Sequence, residues 1–121
     1  MNKDSVLLTI PSKPDYISLV RLTSSSLCNK CKLNIDEIED IKVAIAEACI
    51  NSLSFGNKNA INIEFNMDEE KLTIQVSGVI ENIPEGLNEK KDRELGILII
   101  KSLMDKVIFN EMGIEMIKFI E

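Results

Sequence analysis

The feature that most limits how this chain can fold is a change, about halfway along, in the spacing of its apolar residues. Ile38, Ile41, Ile45, Ala48, Cys49 and Leu53 recur at intervals of three and four, which puts them on one stripe of a helix. Ile61, Ile63 and Phe65, then Leu72, Ile74 and Val76, instead alternate with polar residues, which puts each set on one face of a strand. A helix stripe and a one-sided sheet each need cover, and they can cover each other. The expected class is therefore α+β, a two-layer α/β sandwich with helices on one face of a mixed, mostly antiparallel sheet.

Punctuation sets the boundaries. Ser5 to Ile10 is an apolar run closed by Pro11 and Pro14, so a first strand is expected and then a break. Asp15 to about Leu33 has helical spacing, and Asn34 interrupts it. A second helix is expected from Asp36 as cap, with Glu39 three residues on, to Gly56. After the hairpin turned at Met67 to Glu70, the stretch Val79 to Asp92 has no clear period and contains Pro84 and Gly86, so it is read as a loop. The charged run Glu89 to Glu94 is read as solvated loop as well. Leu95 to about Met104 then reads as a helix, with Leu103, Met104 and Val107 in the core. Val107 to Asn110 and Ile114 to Ile120 read as a closing hairpin turned at Gly113.

Composition narrows the function classes. A chain of 121 residues has the length of one domain, expected to span 1–121, and can bury a core without staples. Fourteen basic residues against 20 acidic ones give a net charge of -6, which opposes binding to a phosphate backbone, so no direct nucleic-acid partner is expected. No apolar run reaches membrane-spanning length and the start Met1-Asn2-Lys3-Asp4 lacks signal-peptide form, so the expected location is the cytoplasm, with no membrane partner. Three cysteines, an odd count in a chain with no export signal expected, argue for reduced thiols, and the lack of histidine leaves no further zinc donors of that kind. Cys28 and Cys31 form a C-x-x-C without further donors for zinc, and both lie on the apolar stripe with Ile17, Val20 and Leu27. Packing is the favoured role; a redox role would require a depressed thiol pKa.

The chemistry-bearing spacing is Glu47-Ala48-Cys49-Ile50-Asn51 on the second helix. Residues four apart share a helix face, so the Glu47 carboxylate and the Asn51 carboxamide can present an acid or base beside an oxygen ligand for Mg²⁺. Alone the spacing is common, and a pair of solvated helix polars has the same pattern.

Three stretches give the pair a context: Asp15 to Leu22, Ile38 to Asn51, and Gly96 to Val107. A helix with E-x-x-x-N, a hairpin ending in glycine, a lid-like loop, a glycine-opened helix and a final hairpin resemble the GHKL, histidine-kinase-like ATPase fold. Within it the chain is most similar to the small anti-sigma factors that are also serine-protein kinases. The resemblance covers essentially the whole chain. It implies Asn51 as the Mg²⁺ ligand and part of the ATP site, and Glu47 as the base preparing a partner's serine hydroxyl. It implies Gly96 at a helix start facing phosphate, and Gly78 as the first glycine of the box after the hairpin. Arg21, by position, is implied as a partner contact, and a homodimer is one implied assembly.

Other residues depart from the family pattern. Where the family has D-x-G-x-G, this chain has Val76-Ser77-Gly78-Val79-Ile80; valine cannot accept a hydrogen bond from adenine, and Ile80 brings a branched side chain where backbone would approach the ligand. An unpaired buried adenine donor would cost about 1–3 kcal/mol. The G-x-G before the last helix is Glu94-Leu95-Gly96, and the late glycine-threonine is Gly113-Ile114. The expectation is therefore a regulatory protein that binds a sigma factor or an anti-sigma antagonist, with a degraded ATP site; ATP and Mg²⁺ are its cofactors if that site still functions, and otherwise it has none. The alternative is an active kinase using ATP and Mg²⁺ to phosphorylate an antagonist.

Overall fold

The computed structural model describes residues 3–56 and 59–121. The Met1-Asn2 start, on which the leader expectation partly rests, lies outside them. Strand β1 (Asp4–Pro11) leads through a 3-10 turn (Pro14–Tyr16) into α1 (Ile17–Cys28), followed by α2 (Ile35–Phe55). The rest of the chain gives β2 (Ala60–Met67), β3 (Lys71–Ser77), α3 (Lys90–Leu103), β4 (Lys106–Asn110) and β5 (Gly113–Phe119). The sheet order is β1-β2-β3-β5-β4, and all four pairings are antiparallel. The α+β, two-layer expectation describes this architecture.

Alternation decides which side of the sheet is covered. Ile61, Ile63, Phe65 and Met67 of β2, Leu72, Ile74 and Val76 of β3, and Ile114 and Met116 of β5 are all buried in one cluster. Val20 and Cys28 of α1, Ile41, Ala44, Ile45, Ala48 and Cys49 of α2, and Ile100 of α3 complete it from the helix side. Full burial of an aliphatic or Phe side chain contributes roughly 1.5–3 kcal/mol, so this face of the sheet cannot be left uncovered. Helix α2 lies between α1 and α3 and packs against both.

Local details depart from the sequence expectations in three places. The cap of α2 is Asn34, whose side chain accepts from Glu37 N at 2.8 Å while Glu37 returns the bond to Asn34 N at 3.0 Å. The capping box is therefore two residues earlier than Asp36 and Glu39, because the asparagine that breaks the first helical pattern is itself a strong cap for the second. The first helix is shorter than Asp15 to Leu33: Pro14 opens a tight 3-10 turn before it, which delays its start to Ile17, and it ends at Cys28. Gly56 caps α2 in an extended conformation, and its lack of a side chain lets Gly78 approach: a Cβ there would meet Gly78 Cα at 3.0 Å. Helix α3 begins at Lys90, so most of the run Glu89 to Glu94 is helix and not loop. Lys90 and Glu94, four apart and 3.1 Å from each other, and Asp92 in the first turn support that start.

The far end of α3 is closed by β5. Lys118 is 7% exposed on the core side of its strand, and its Nζ donates to Leu103 O at 2.8 Å, with Asp105 Oδ1 at 3.9 Å. A cation thus meets the carbonyl end of the helix, where the helix dipole favours it.

Candidate functional site

Helix α2 carries Glu47 and Asn51 to its seam with α3 and with the segment that follows β3. Asn51 is 2% exposed. Its Nδ2 donates to Ile80 O at 2.9 Å, and its Oδ1 accepts from Ile80 N at 3.0 Å. Both ends of the carboxamide are therefore engaged by the backbone of one residue. One residue on, buried Ser52 donates from Oγ to Ser77 O at 2.6 Å.

Glu47 is half-buried and faces α3. Its Oε1 lies 3.5 Å from Nη1 of Arg93, an ion pair that makes no hydrogen bond, so this buried guanidinium nitrogen has no hydrogen-bond partner among the described residues. The same Oε1 occupies the notch over Gly96, where an added Cβ would meet it at 2.5 Å. Gly96 is buried in the second turn of α3, not at its start. Its N–H lies past the free donors of the first turn. A packing reason for glycine is plain: it makes room for Glu47.

The segment between β3 and α3 is tied down along its length. Gly78 turns the chain with φ 77° and donates from its N–H to Met112 O at 3.0 Å. Val79 enters the core cluster, Ile80 pairs with Asn51, and Glu81 meets Lys101 of α3 at 2.8 Å. Ile83 is buried, and its carbonyl accepts from Lys90 Nζ at 3.1 Å. The Glu94 carboxylate, hydrogen-bonded to that ammonium, holds the Lys90 pKa above its usual range, with Glu85 adding to the effect.

In this conformation the groups that would meet magnesium and a nucleoside triphosphate are engaged within the chain. The Asn51 oxygen is already an acceptor for Ile80, and the Gly96 notch holds a carboxylate. Val76, standing where an adenine acceptor is expected, is 1% exposed within the core. A cavity of about 500 Å³ does open beside the segment, lined by Phe55, Gly78, Ile80, Asn82, Phe109 and Glu111 among others, but neither Glu47 nor Asn51 lines it.

The cysteines behave as core residues. Cys28 and Cys49 are fully buried, and burial pushes both thiols up to about 12; Cys31, half-buried, is raised by burial as well. Cys28 ends α1, at the negative end of its dipole, which is the wrong end to stabilise a thiolate. Among the described residues no three Cys, Asp or Glu side chains gather as a metal site.

Sequence reasoning singles out Glu47, Asn51, Gly78 and Gly96 but not the residues they contact. Arg93 falls in a run that reads as solvated, although a helix starting at Lys90 puts it three residues before Gly96 on the same face. Ile80 reads only as an obstacle to a ligand, and its contact is made through its backbone, which carries no sequence signal.

Comparison with known proteins agrees with the fold. A profile described as "Histidine kinase-like ATPase domain" matches residues 10–118. A "Serine-protein kinase RsbW" of Halalkalibacterium halodurans is 30% identical, over 89% of this chain and 76% of the relative. A protein of the same description from Staphylococcus aureus is 33% identical, over 98% of this chain and 89% of the relative. Among the described residues no helix is long and apolar enough to cross a membrane.

Proposed function

Because this chain belongs to the histidine kinase-like ATPase family and is homologous to serine-protein kinase RsbW, we propose that it is a regulatory protein of the anti-sigma type that binds its partner without using ATP. The partner is a sigma factor or an anti-sigma antagonist. One observation carries the reading: Asn51, the residue the resemblance would give to Mg²⁺, has both polar atoms hydrogen-bonded to Ile80. On the partner side, Arg21 is exposed on α1 between Leu19 and Leu22, themselves 45% and 68% exposed. An exposed charge flanked by exposed leucines is suited to a protein contact. The protein works in the cytoplasm, and a homodimer is the assembly to test by sedimentation.

The second reading is an active kinase that uses ATP and Mg²⁺ to phosphorylate an antagonist. What favours it is that Glu47 and Asn51 keep their shared face of α2 and that Glu47, one turn away, retains some exposure. The two readings separate in one reaction. The purified protein is incubated with labelled ATP, Mg²⁺ and an antagonist protein, and a parallel sample is tested for complex formation by size-exclusion chromatography. The regulatory reading expects a complex and no transferred label. Label on a serine of the antagonist, lost in Glu47→Gln, would establish the kinase instead.

A further inference from the structure

We propose that the Asn51–Ile80 bond pair is a latch that fixes the segment after β3 in one closed position, so that this segment is a permanent strap and not a lid that opens for a ligand. The latch takes its functional meaning from the regulatory reading above. It goes beyond a missing nucleotide pocket, because it assigns Asn51 a present role.

The geometry is that of a primary amide docked on a peptide unit. A carboxamide has a donor and an acceptor side by side, and the N–H and C=O of a single residue offer the complement. Asn51 meets Ile80 in this way from a side chain that is 2% exposed. Ile80 is half-buried and lies outside any strand, so no ladder supplies partners for its backbone groups. Asn51 supplies both. On either side the strap is held by independent means: Val79 is in the core, Glu81 pairs with Lys101, and Lys90 holds Ile83 O. The latch lies at the middle of these ties, where a lid would have to begin to lift.

The substitution Asn51→Asp separates a latch from a metal ligand. The new carboxylate, when ionised, could still accept from Ile80 N but would set a negative oxygen against Ile80 O, while as a Mg²⁺ ligand it would be at least as good as the amide it replaces. When protonated it would again have a donor and an acceptor and could make both bonds. The folded state of the variant therefore raises the pKa of that carboxyl. Its stabilising effect is present at acid pH and is lost as pH rises from the ordinary aspartate value through the raised one. The charged groups on the elements that meet here are Glu47 of α2, one turn before Asn51 and paired with Arg93 of α3, and Glu81, next to Ile80 and paired with Lys101 of α3. Wild type carries the same groups, so the comparison is made as variant against wild type at each pH.

The experiment is amide hydrogen exchange at Ile80, by NMR, in the wild-type chain, Asn51→Ala and Asn51→Asp, at about pH 7 and at about pH 4, with and without millimolar Mg²⁺. The expected result is a protected Ile80 amide in wild type and a loss of protection of about ten- to hundredfold in both variants near neutrality. Asn51→Asp alone should recover toward wild type at the acid pH, and Mg²⁺ should change nothing. An Ile80 amide that exchanges freely in wild type would overturn the latch. So would an Asn51→Asp protein as protected as wild type at neutral pH, or one that Mg²⁺ protects further. If Asn51→Ala does not fold, the wild-type exchange and the pH response of Asn51→Asp still decide. A free Ile80 amide without phosphotransfer would remove the latch and leave the regulatory reading in place; a protected amide with phosphotransfer would do the reverse.

Discussion

Asn51 and Ile80 hold each other by two hydrogen bonds, 2.9 and 3.0 Å long, between a buried side-chain amide and the backbone of a residue outside the sheet. The side chain that the family pattern assigns to a metal is thus a structural element of the fold. Asn51→Ala would leave both Ile80 groups without protein partners, and each such group costs about 1–3 kcal/mol when buried. Ile80 is only half-buried, so a loss of about 1–3 kcal/mol is expected, readable as a lower urea midpoint with an unchanged m-value.

Gly96 and Glu47 should show strong coupling. Alanine is favoured over glycine in a helix interior by about 0.8–1 kcal/mol, but a Cβ at 96 would lie 2.5 Å from Glu47 Oε1. In the wild-type background Glu47 must swing away and give up Arg93, so Gly96→Ala should leave stability unchanged or lower it by up to about 1 kcal/mol. In a Glu47→Ala background the notch is empty, and the same change should stabilise by about 1 kcal/mol. A four-member double-mutant cycle by chemical denaturation measures the difference; equal effects in both backgrounds would mean that Gly96 and Glu47 do not share this space.

The buried thiols set the alkaline behaviour. Cys28 and Cys49 have folded values near 12 against an ordinary value of 9.0. A raised pKa means that the folded state keeps the proton when the unfolded state has lost it. Stability is then fully present below about pH 9 and falls between about 9 and 12, with a slope approaching 2–3 kcal/mol per pH unit for two thiols. Denaturation midpoints across that range should fall more steeply in the wild type than in a Cys28→Ala/Cys49→Ala protein, where Cys31 alone remains raised by burial. Under native conditions near pH 8, iodoacetamide should leave Cys28 and Cys49 unmodified, and rapid labelling of Cys28 would revive a redox role for the C-x-x-C.

Lys118 joins the end of α3 to the sheet. Replacing it by methionine keeps the stem but removes the bond to Leu103 O and leaves that carbonyl unmet. The expected loss is about 1–2 kcal/mol, measurable by thermal denaturation. An unchanged Tm would show that Leu103 O finds another donor.

Much of this arrangement is legible in the sequence where periodicity speaks. The stripe of Ile41, Ile45, Ala48 and Cys49 and the alternation of Ile61, Ile63 and Phe65 mark elements whose burial is dictated by spacing. Helix α3 reads too short because Lys90 to Glu94 has no apolar period; its first turns rest on charge pairs and on Arg93 packing over Gly96. The cap is misplaced by two residues because Asn34 reads equally as a breaker and as a cap until the backbone direction is known. At the site, the Glu47 and Asn51 juxtaposition follows from helix geometry alone. Their partners come from other elements, one of them through its backbone, and no local pattern encodes such a contact.

The most direct test of the account is calorimetric titration of the wild-type protein with ATP in the presence of Mg²⁺, beside Asn51→Ala. If the groups at the α2–α3 seam are engaged as described, neither protein gives saturable heat up to millimolar nucleotide. Saturable binding by the wild type that Asn51→Ala weakens would contradict the account and make Asn51 a ligand again.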